Sequence, residues 1–446
     1  MNTNILIPPC KLSGKIPLHP SKSYLHRIII ASYLACNDAN PTHTFNKRET
    51  SLECMATLNK KKLEIDLMPE KSRDILATLN AVKALFSSEN KPIFVDESAS
   101  TLRMLLPLTL AINKPCKFIS GTSLSKRPIK FLLDILTSAG AVCTTCYDEN
   151  GSLNINIRGE LQSDTYKLDT GISTQHISGF LFALPLLDKP GKLVVQGKYQ
   201  ERSYINITLN VIKKFGIHYN IEKFEDYYII NIYGKQTYTA PACNALSLAE
   251  PDFSNLAPWL VAKALGSDKL TLPKLPTASL QPDSIIMKII NAYDTMNNEE
   301  IHQKSNKEKS YVIDISQCLD LFPQLCILAA FSNTKTLFTN IEKLKLKESN
   351  RIKSMQDILK KINIDTNISE NTLLINGNPE STLQKPPTDI LHLNSFGDHR
   401  IAMAAIILSG KLNVPIHLSG VNALEKSYPS FLEEFKSLGG KYDIYI

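Results

Sequence analysis

The sequence predicts an α/β protein made of α+β repeats. Two similar globular domains of three repeated α/β units each pack helices against mixed sheets, with the ligand site in the cleft between the domains. Three observations predict this. First, four segments read alike: DILTSAG at Asp134–Gly140, NVIKKFG at Asn210–Gly216, DILKKIN at Asp357–Asn363 and EEFKSLG at Glu433–Gly439. Gly140 and Gly216 are as far apart as Asn363 and Gly439. Second, most copies are followed by a strand, a polar turn and a second strand, as in Ala141–Cys146 with Leu153–Arg158 and His218–Glu222 with Tyr227–Ile232. Third, 446 residues with 43% apolar and 21% charged content suit two large soluble domains.

Each of the four segments closes an amphipathic helix on Gly or Asn, where a C-cap needs a left-handed residue. Asn80–Phe86 is a looser fifth copy, and Ser284–Tyr293 a sixth. Three copies precede residue 220 and three follow, which divides the chain into two globes. Gln236–Asn244 (QTYTAPACN) is polar and holds a proline, so it reads as the linker. Met296–Ser310 and Gly377–Asp389 read as exposed loops. Paired globes commonly hold a ligand in the cleft between them.

Several classes of function fall away. The longest apolar runs, Met104–Ile112 and Ile401–Leu408, are far below the ~18 residues of a membrane span. MNTNILIPPC at the start lacks the basic and apolar regions of an export signal, so a cytoplasmic protein is expected. The net charge of +7 is too diffuse for a nucleic-acid footprint. Nine scattered cysteines fit reduced thiols. Cys143-Thr-Thr-Cys146 is a lone pair in a strand-like run, without the second pair or histidines that zinc needs. G-x-G-x-x-G, the P-loop and H-E-x-x-H are all absent, so no nucleotide-binding or zinc-protease motif is present and no metal or cofactor is expected.

What remains is cations at the starts of apolar helices. Pro20–Arg27 (PSKSYLHR) precedes Ile28–Leu34. Ser21 or Ser23 can cap that helix, with Lys22 at its positive end and Arg27 one turn in, a strong anion cradle. Asp96–Arg103 (DESASTLR) enters Met104–Ala111 in the same way, and Ser125-Lys-Arg-Pro128 opens a further helix with Pro128 in its first turn. Gly171-Ile-Ser-Thr-Gln175 places hydroxyls ahead of the apolar Ile177–Leu187. Lys347 and Arg351 lie at i and i+4 on one helical face beside Glu348. Gly397-Asp-His-Arg400 leads into Ile401–Leu408, where solvated charges are hard to place. Lys426 precedes another helix, and Asp320 stands ahead of Leu321–Phe331. The ensemble implies a substrate with several negative charges, worked on by acid–base chemistry.

In order and spacing, from Lys15 to about Lys436, these motifs resemble the 5-enolpyruvylshikimate-3-phosphate (EPSP) synthase family. The resemblance implies two domains, residues 1–20 plus 240–446 and residues 21–239. It implies transfer of the carboxyvinyl group of phosphoenolpyruvate to the 5-hydroxyl of shikimate 3-phosphate by a cytoplasmic monomer that binds neither nucleic acid nor membrane. By position, Lys22, Ser23, Arg27, Ser173, Thr174, Gln175, Tyr204, Asp320 and Lys347 are expected on shikimate 3-phosphate. Lys22, Ala99, Arg127, Gln175, Arg351, Arg400 and Lys426 are expected on phosphoenolpyruvate. Asp320 matches the proton acceptor, Glu348 the proton donor, Lys22 a third catalytic position, and His399 an active-site neighbour.

Some positions depart from the family pattern: Thr174 replaces a usual serine harmlessly, Lys343 holds a variable position, and two others matter more. Glu201 stands where a phosphate-binding serine is common. Ala99 replaces a usual glycine, which implies tolerance to glyphosate, the family's phosphonate inhibitor. A sister transferase acting on a UDP-sugar expects a cysteine shortly before the Arg-Pro pair, and Gly121–Pro128 (GTSLSKRP) has none. A non-catalytic anion- or RNA-binding relative is expected to have lost Lys22, Asp320 or Glu348, and all three are present.

Overall fold

The computed structural model describes residues 3–36, 71–171, 173–299, 310–380 and 390–445. The chain divides into two units, one of Met1–His19 with Pro251–Ile446, the other of Pro20–Glu250.

One topology recurs four times. Ile93–Asp96 and Cys116–Ser120 pair in parallel; Leu153–Gly159 then pairs antiparallel to the second strand, and Ala141–Tyr147 takes the edge. Thr165–Asp169, Gly191–Gln196, Tyr227–Ile232 and Tyr219–Lys223 repeat that order. So do Ser310–Asp314, Lys335–Thr339, Thr372–Ile375 and Thr366–Ser369 in the other unit. The fourth sheet is completed from both ends of the chain. Leu391–Asn394 lies parallel to Ile416–Ser419, Asn4–Ile7 pairs with the latter, and Asp443–Tyr445 forms the edge.

A parallel pair needs a crossover, and in all four sheets it is a helix. These helices, Ala99–Ala111, Thr174–Ala183, Phe322–Ala330 and His399–Ile407, are buried along nearly their whole length. Their sequences are apolar on all sides, as a central helix requires. A second helix then precedes the three hairpins and the final strand Asp443–Tyr445: Lys130–Ser138, Tyr204–Lys214, Arg351–Lys361 and Phe431–Ser437. All four expected caps adopt positive φ, Gly140 at 109°, Gly216 at 85°, Asn363 at 58° and Gly439 at 94°. Close helix packing also uses a glycine: a Cβ on Gly179 would come within 2.6 Å of the Arg103 carbonyl. That approach lets the Ala99 and Thr174 helices lie side by side.

The unit of Met1–His19 with Pro251–Ile446 has one continuous core. Trp259 stacks on Phe431 with ring centroids 4.5 Å apart, and its indole N–H donates to the Tyr428 hydroxyl at 3.1 Å. Leu270–Thr271 pairs in parallel with Gly14–Lys15 beside the Phe253–Ala264 helix.

Two details differ from expectation. Gln236–Asn244 belongs to the Pro20–Glu250 unit and is anchored there at Tyr238, whose ring is buried and whose hydroxyl donates to the Phe182 carbonyl at 3.1 Å. Ser284–Tyr293 begins as the 3-10 turn Pro282–Ile285 and continues as a helix over Ile286–Glu299, past Tyr293. Residues 300–309 and 381–389, the centres of the two expected loops, lie outside the described residues. No described helix is long and apolar enough to cross a membrane.

Candidate active site

The recurring topology explains where the chemistry collects. After the first parallel strand of each sheet, the chain turns into the N-terminus of a buried helix, where free N–H groups and the helix dipole favour anions. Ser98 caps the Ala99 helix, Ser173 the Thr174 helix and Asp398 the His399 helix. Asp320 lies two residues before Phe322. The segments leading into the second helices carry Arg127, Tyr204, Lys347 to Arg351, and Lys426.

In the Pro20–Glu250 unit, Lys22 opens the helix Lys22–Cys36 and pairs with Asp74 at 2.8 Å. Arg27 is only 2% exposed. Its Nε donates to the Thr208 hydroxyl at 2.6 Å, Nη1 to the Ser23 carbonyl at 2.6 Å and Nη2 to the Ser178 hydroxyl at 3.1 Å. Every acceptor is neutral. Burial therefore pulls the guanidinium pKa down to about 10, with Tyr204 and Tyr24 giving partial support to the charge.

A second group in this unit is held together by Arg103. Its Nη1 donates to Gln175 Oε1 at 2.8 Å and its Nη2 to the Pro128 carbonyl at 2.9 Å, while Gln175 Nε2 donates to the Ser100 hydroxyl at 2.8 Å. Gln175, the Ala99 turn and the Arg127-Pro128 turn are thereby fixed to one another. Burial, then the neighbouring Arg127, lowers the Arg103 pKa to about 10. Ser173 and Thr174 stand at the start of the same helix as Gln175, and Tyr204 starts its own behind the Ser203 cap. Glu201 is exposed.

In the other unit Arg351 is 1% exposed and surrounded by carboxylates: Asp398 at 2.8 Å, Asp320 at 2.7 Å and Glu348 at 3.2 Å. Burial works against its charge, and the three carboxylates override it, lifting its pKa above the ordinary value. Lys347 reaches Asp320 at 3.3 Å. Burial would raise the Asp320 pKa, but Lys347, Arg351 and Arg400 hold it well below the usual carboxylate range. Arg400 is 2% exposed; its Nη1 donates to the Ser254 carbonyl at 2.8 Å and to Asn255 Oδ1 at 3.0 Å. Asn255 also donates to the Ser427 carbonyl at 3.3 Å, which ties down the residue after Lys426. His399 is buried beside Asp398, its Nδ1 4.0 Å from Oδ1.

Local geometry corrects two readings. Pro128 precedes the Lys130–Ser138 helix instead of lying in its first turn, and its carbonyl serves Arg103. Lys347 and Arg351 do not share a helical face. Asn350 caps the helix that starts at Arg351, and Lys347 is extended, so the two cations converge on Asp320 from different backbone states.

The sequence reading assigned no role to Asp398, Asp74, Arg103 or Asp283. Asp398 and Arg103 lie inside quoted motifs, and their position ahead of or inside apolar helices was the available signal. Asp74 pairs with a lysine 52 residues away, and Asp283 is placed by a turn, so neither had a local pattern. Among the described residues no group of His, Cys, Asp and Glu has the arrangement of a metal site. Cys143 and Cys146 lie on one strand, half-buried and exposed respectively.

Comparison with known proteins identifies the family and the fold. The family model for EPSP synthase (3-phosphoshikimate 1-carboxyvinyltransferase) matches residues 7–435. A 3-phosphoshikimate 1-carboxyvinyltransferase of Clostridium kluyveri is 34% identical over 98% of this chain and 98% of its own. One of Clostridioides difficile is 32% identical over 99% and 98%. The crystal structure of EPSP synthase from Acinetobacter baumannii shares the fold with a TM-score of 0.67 at 19% identity, covering both chains fully. By sequence and by fold, the chain belongs to the EPSP synthase (3-phosphoshikimate 1-carboxyvinyltransferase) family.

Proposed function

We propose that the protein transfers the carboxyvinyl group of phosphoenolpyruvate to the 5-hydroxyl of shikimate 3-phosphate and releases phosphate. The observation that carries this reading is the pair of buried arginines, Arg27 and Arg400. Among the described residues neither has a carboxylate within ion-pairing distance, and both hydrogen-bond only neutral acceptors. Arg27 is a buried cation without a counter-ion, which is costly, and Arg400 meets Asp320 and Asp283 only beyond ion-pairing distance, so a bound anion completes each site. Phosphate and carboxylate groups suit the forked guanidinium.

In this reading Lys22, Ser23, Arg27, Ser173, Thr174, Gln175, Tyr204 and Lys347 hold shikimate 3-phosphate. Lys22, Gln175, Arg127, Arg351, Arg400 and Lys426 hold phosphoenolpyruvate against the Ala99 turn. Asp320 accepts the proton of the 5-hydroxyl as its oxygen bonds to the central carbon of phosphoenolpyruvate. Glu348 donates a proton to the methylene carbon, giving a tetrahedral intermediate. Loss of phosphate, with return of a methyl proton to a carboxylate, regenerates the vinyl group on the new ether. The depressed pKa of Asp320 in the free protein fits this role. Substrate anions beside Lys347, Arg351 and Arg400 offset those cations and raise the proton affinity of Asp320 once both substrates are present.

The two units are read as the family's two domains, and the protein as a cytoplasmic monomer acting on small molecules and not on nucleic acid. A phosphate-release assay tests the reaction. Release is expected only when phosphoenolpyruvate and shikimate 3-phosphate are both supplied. Release with a UDP-sugar in place of the latter, or with neither acceptor, would overturn the reading.

A further inference from the structure

Behind Arg400 lies a carboxylate that the proposed reaction does not use. Asp283 stands in the turn Pro282–Ile285 and is 1% exposed. That turn is tied to the start of the Phe253–Ala264 helix: Gln281 Nε2 donates to the Pro251 carbonyl at 2.8 Å, and the Phe253 N–H donates to Gln281 Oε1 at 3.4 Å. The tie brings Asp283 onto Ser254, whose hydroxyl donates to Oδ2. The carbonyl of the same serine accepts from Arg400 Nη1 at 2.8 Å. Ser254 therefore touches both side chains.

Other groups facing Asp283 include Asp252 at the cap of the Phe253 helix, Asp320 ahead of the Phe322 helix and Arg400 from the His399 helix. The Cys318 thiol lies close enough to feel it. Lys347, Arg351 and Glu348 surround Asp320, and Asp398 holds Arg351. With every carboxyl ionised, the groups named here carry more anions than cations, a poor setting for an anionic substrate. Burial, then repulsion from Asp320, pushes the Asp283 pKa up to about 7, against the Ser254 hydrogen bond and Arg400.

We propose that Asp283 is a positioning residue for Arg400 that works with its proton on, holding Ser254 against the guanidinium while leaving the Arg400 charge to the substrate anion. The identity of that anion, phosphoenolpyruvate, rests on the carboxyvinyl-transfer reading. Ionised, Asp283 offsets the field of Arg400 and weakens the anion's binding, so the change appears in KM more than in kcat.

The test compares wild type with Asp283→Asn, a neutral group of the same shape. Dividing the two KM values for phosphoenolpyruvate at each pH cancels the substrate's own titration. The ratio of wild type to variant is expected to rise about tenfold between roughly pH 6 and 8.5, the effect of an interaction worth one pKa unit. A flat ratio overturns the proposal, because a purely structural aspartate has no reason to follow pH. An infrared titration of the wild-type protein, with Asp283→Asn to assign the band, needs no substrate. A protonated-carboxyl stretch that vanishes across neutral pH is expected, and its absence over that range also overturns the proposal. A wild-type protein without carboxyvinyl transfer would strike at the reaction instead, since the infrared titration reads Asp283 whatever the substrate.

Discussion

Arg27 and Arg351 are almost equally buried, at 2% and 1% exposure, and their surroundings are opposite. Arg27, in the Pro20–Glu250 unit, rests on two hydroxyls and a carbonyl. Arg351, in the other unit, is enclosed by Asp398, Asp320 and Glu348. The same α/β repeat builds both units, so topology does not dictate this difference. It comes from which side chains reach each guanidinium: Ser178 and Thr208, each about one turn inside its helix, in one unit, and Asp398, Asp320 and Glu348, at or just ahead of helix N-termini, in the other. Arg27, like Arg400 in the other unit, is a cation that an anion must complete. Arg351 has its counter-ions in advance, and two of those carboxylates are the proposed proton carriers.

Stability separates the two arrangements most sharply. Arg351→Met leaves the fully buried Asp398 carboxylate without its cation, and breaking such a pair typically costs about 3–5 kcal/mol. Arg27→Met removes a buried charge that has no counter-ion, and Ser178 and Thr208 keep their mutual hydrogen bond of 2.7 Å. Its stability is expected to stay within about 1 kcal/mol of wild type. Urea unfolding of the ligand-free proteins measures both, and equal losses would break the comparison. Arg27→Met should instead weaken shikimate 3-phosphate binding by roughly 10–150-fold, the worth of a charged hydrogen bond.

Turnover separates the units next. If Asp320 and Glu348 accept and donate the transferred protons, Asp320→Ala and Glu348→Gln should each cut kcat by about 10²-fold or more with substrate binding nearly intact. Single-turnover kinetics beside calorimetric binding checks this. Loss of binding alone would make the two carboxylates counter-ions of Arg351 and no more.

The sequence exposed the repeat because helix caps and hairpins leave local marks: Gly140, Gly216, Asn363 and Gly439 all take the left-handed conformation read from their place after an amphipathic run. It also placed Asp320 and Arg400 at the mouths of apolar helices, where a charge needs a reason. What it lacked was pairing. Asp398 and Arg351 meet across two elements, as do Lys22 and Asp74, and no local spacing encodes such contacts. Closure of a sheet by Asn4–Ile7 and Asp443–Tyr445, from opposite ends of the chain, is likewise a tertiary event. The Lys347–Arg351 misreading has a local cause, since an i, i+4 argument assumes a helix that Asn350 delays until Arg351.

The smallest expected effect tests the anion-receptor character of the Pro20–Glu250 unit at a single methyl group. Ala99 is the first residue of a buried helix, capped by Ser98, and is 6% exposed. Its neighbour Ser100 accepts a hydrogen bond from Gln175, which Arg103 also holds, so the turn has little freedom to recede. A glycine here would let an anion lie directly against the backbone N–H groups, and the methyl of Ala99 takes up part of that room. Phosphoenolpyruvate is short and loses little. Glyphosate is longer in the same subsite and meets the methyl, and a forced contact of this size costs about 1–3 kcal/mol, roughly 5–150-fold in affinity. The protein is therefore expected to tolerate glyphosate, and Ala99→Gly should restore sensitivity by that factor with a smaller change in KM for phosphoenolpyruvate. Inhibition constants measured against phosphoenolpyruvate for both forms decide the matter. Equal constants would mean that the Ala99 methyl points away from the bound anion, and that the rigid turn shapes the subsite through its backbone alone.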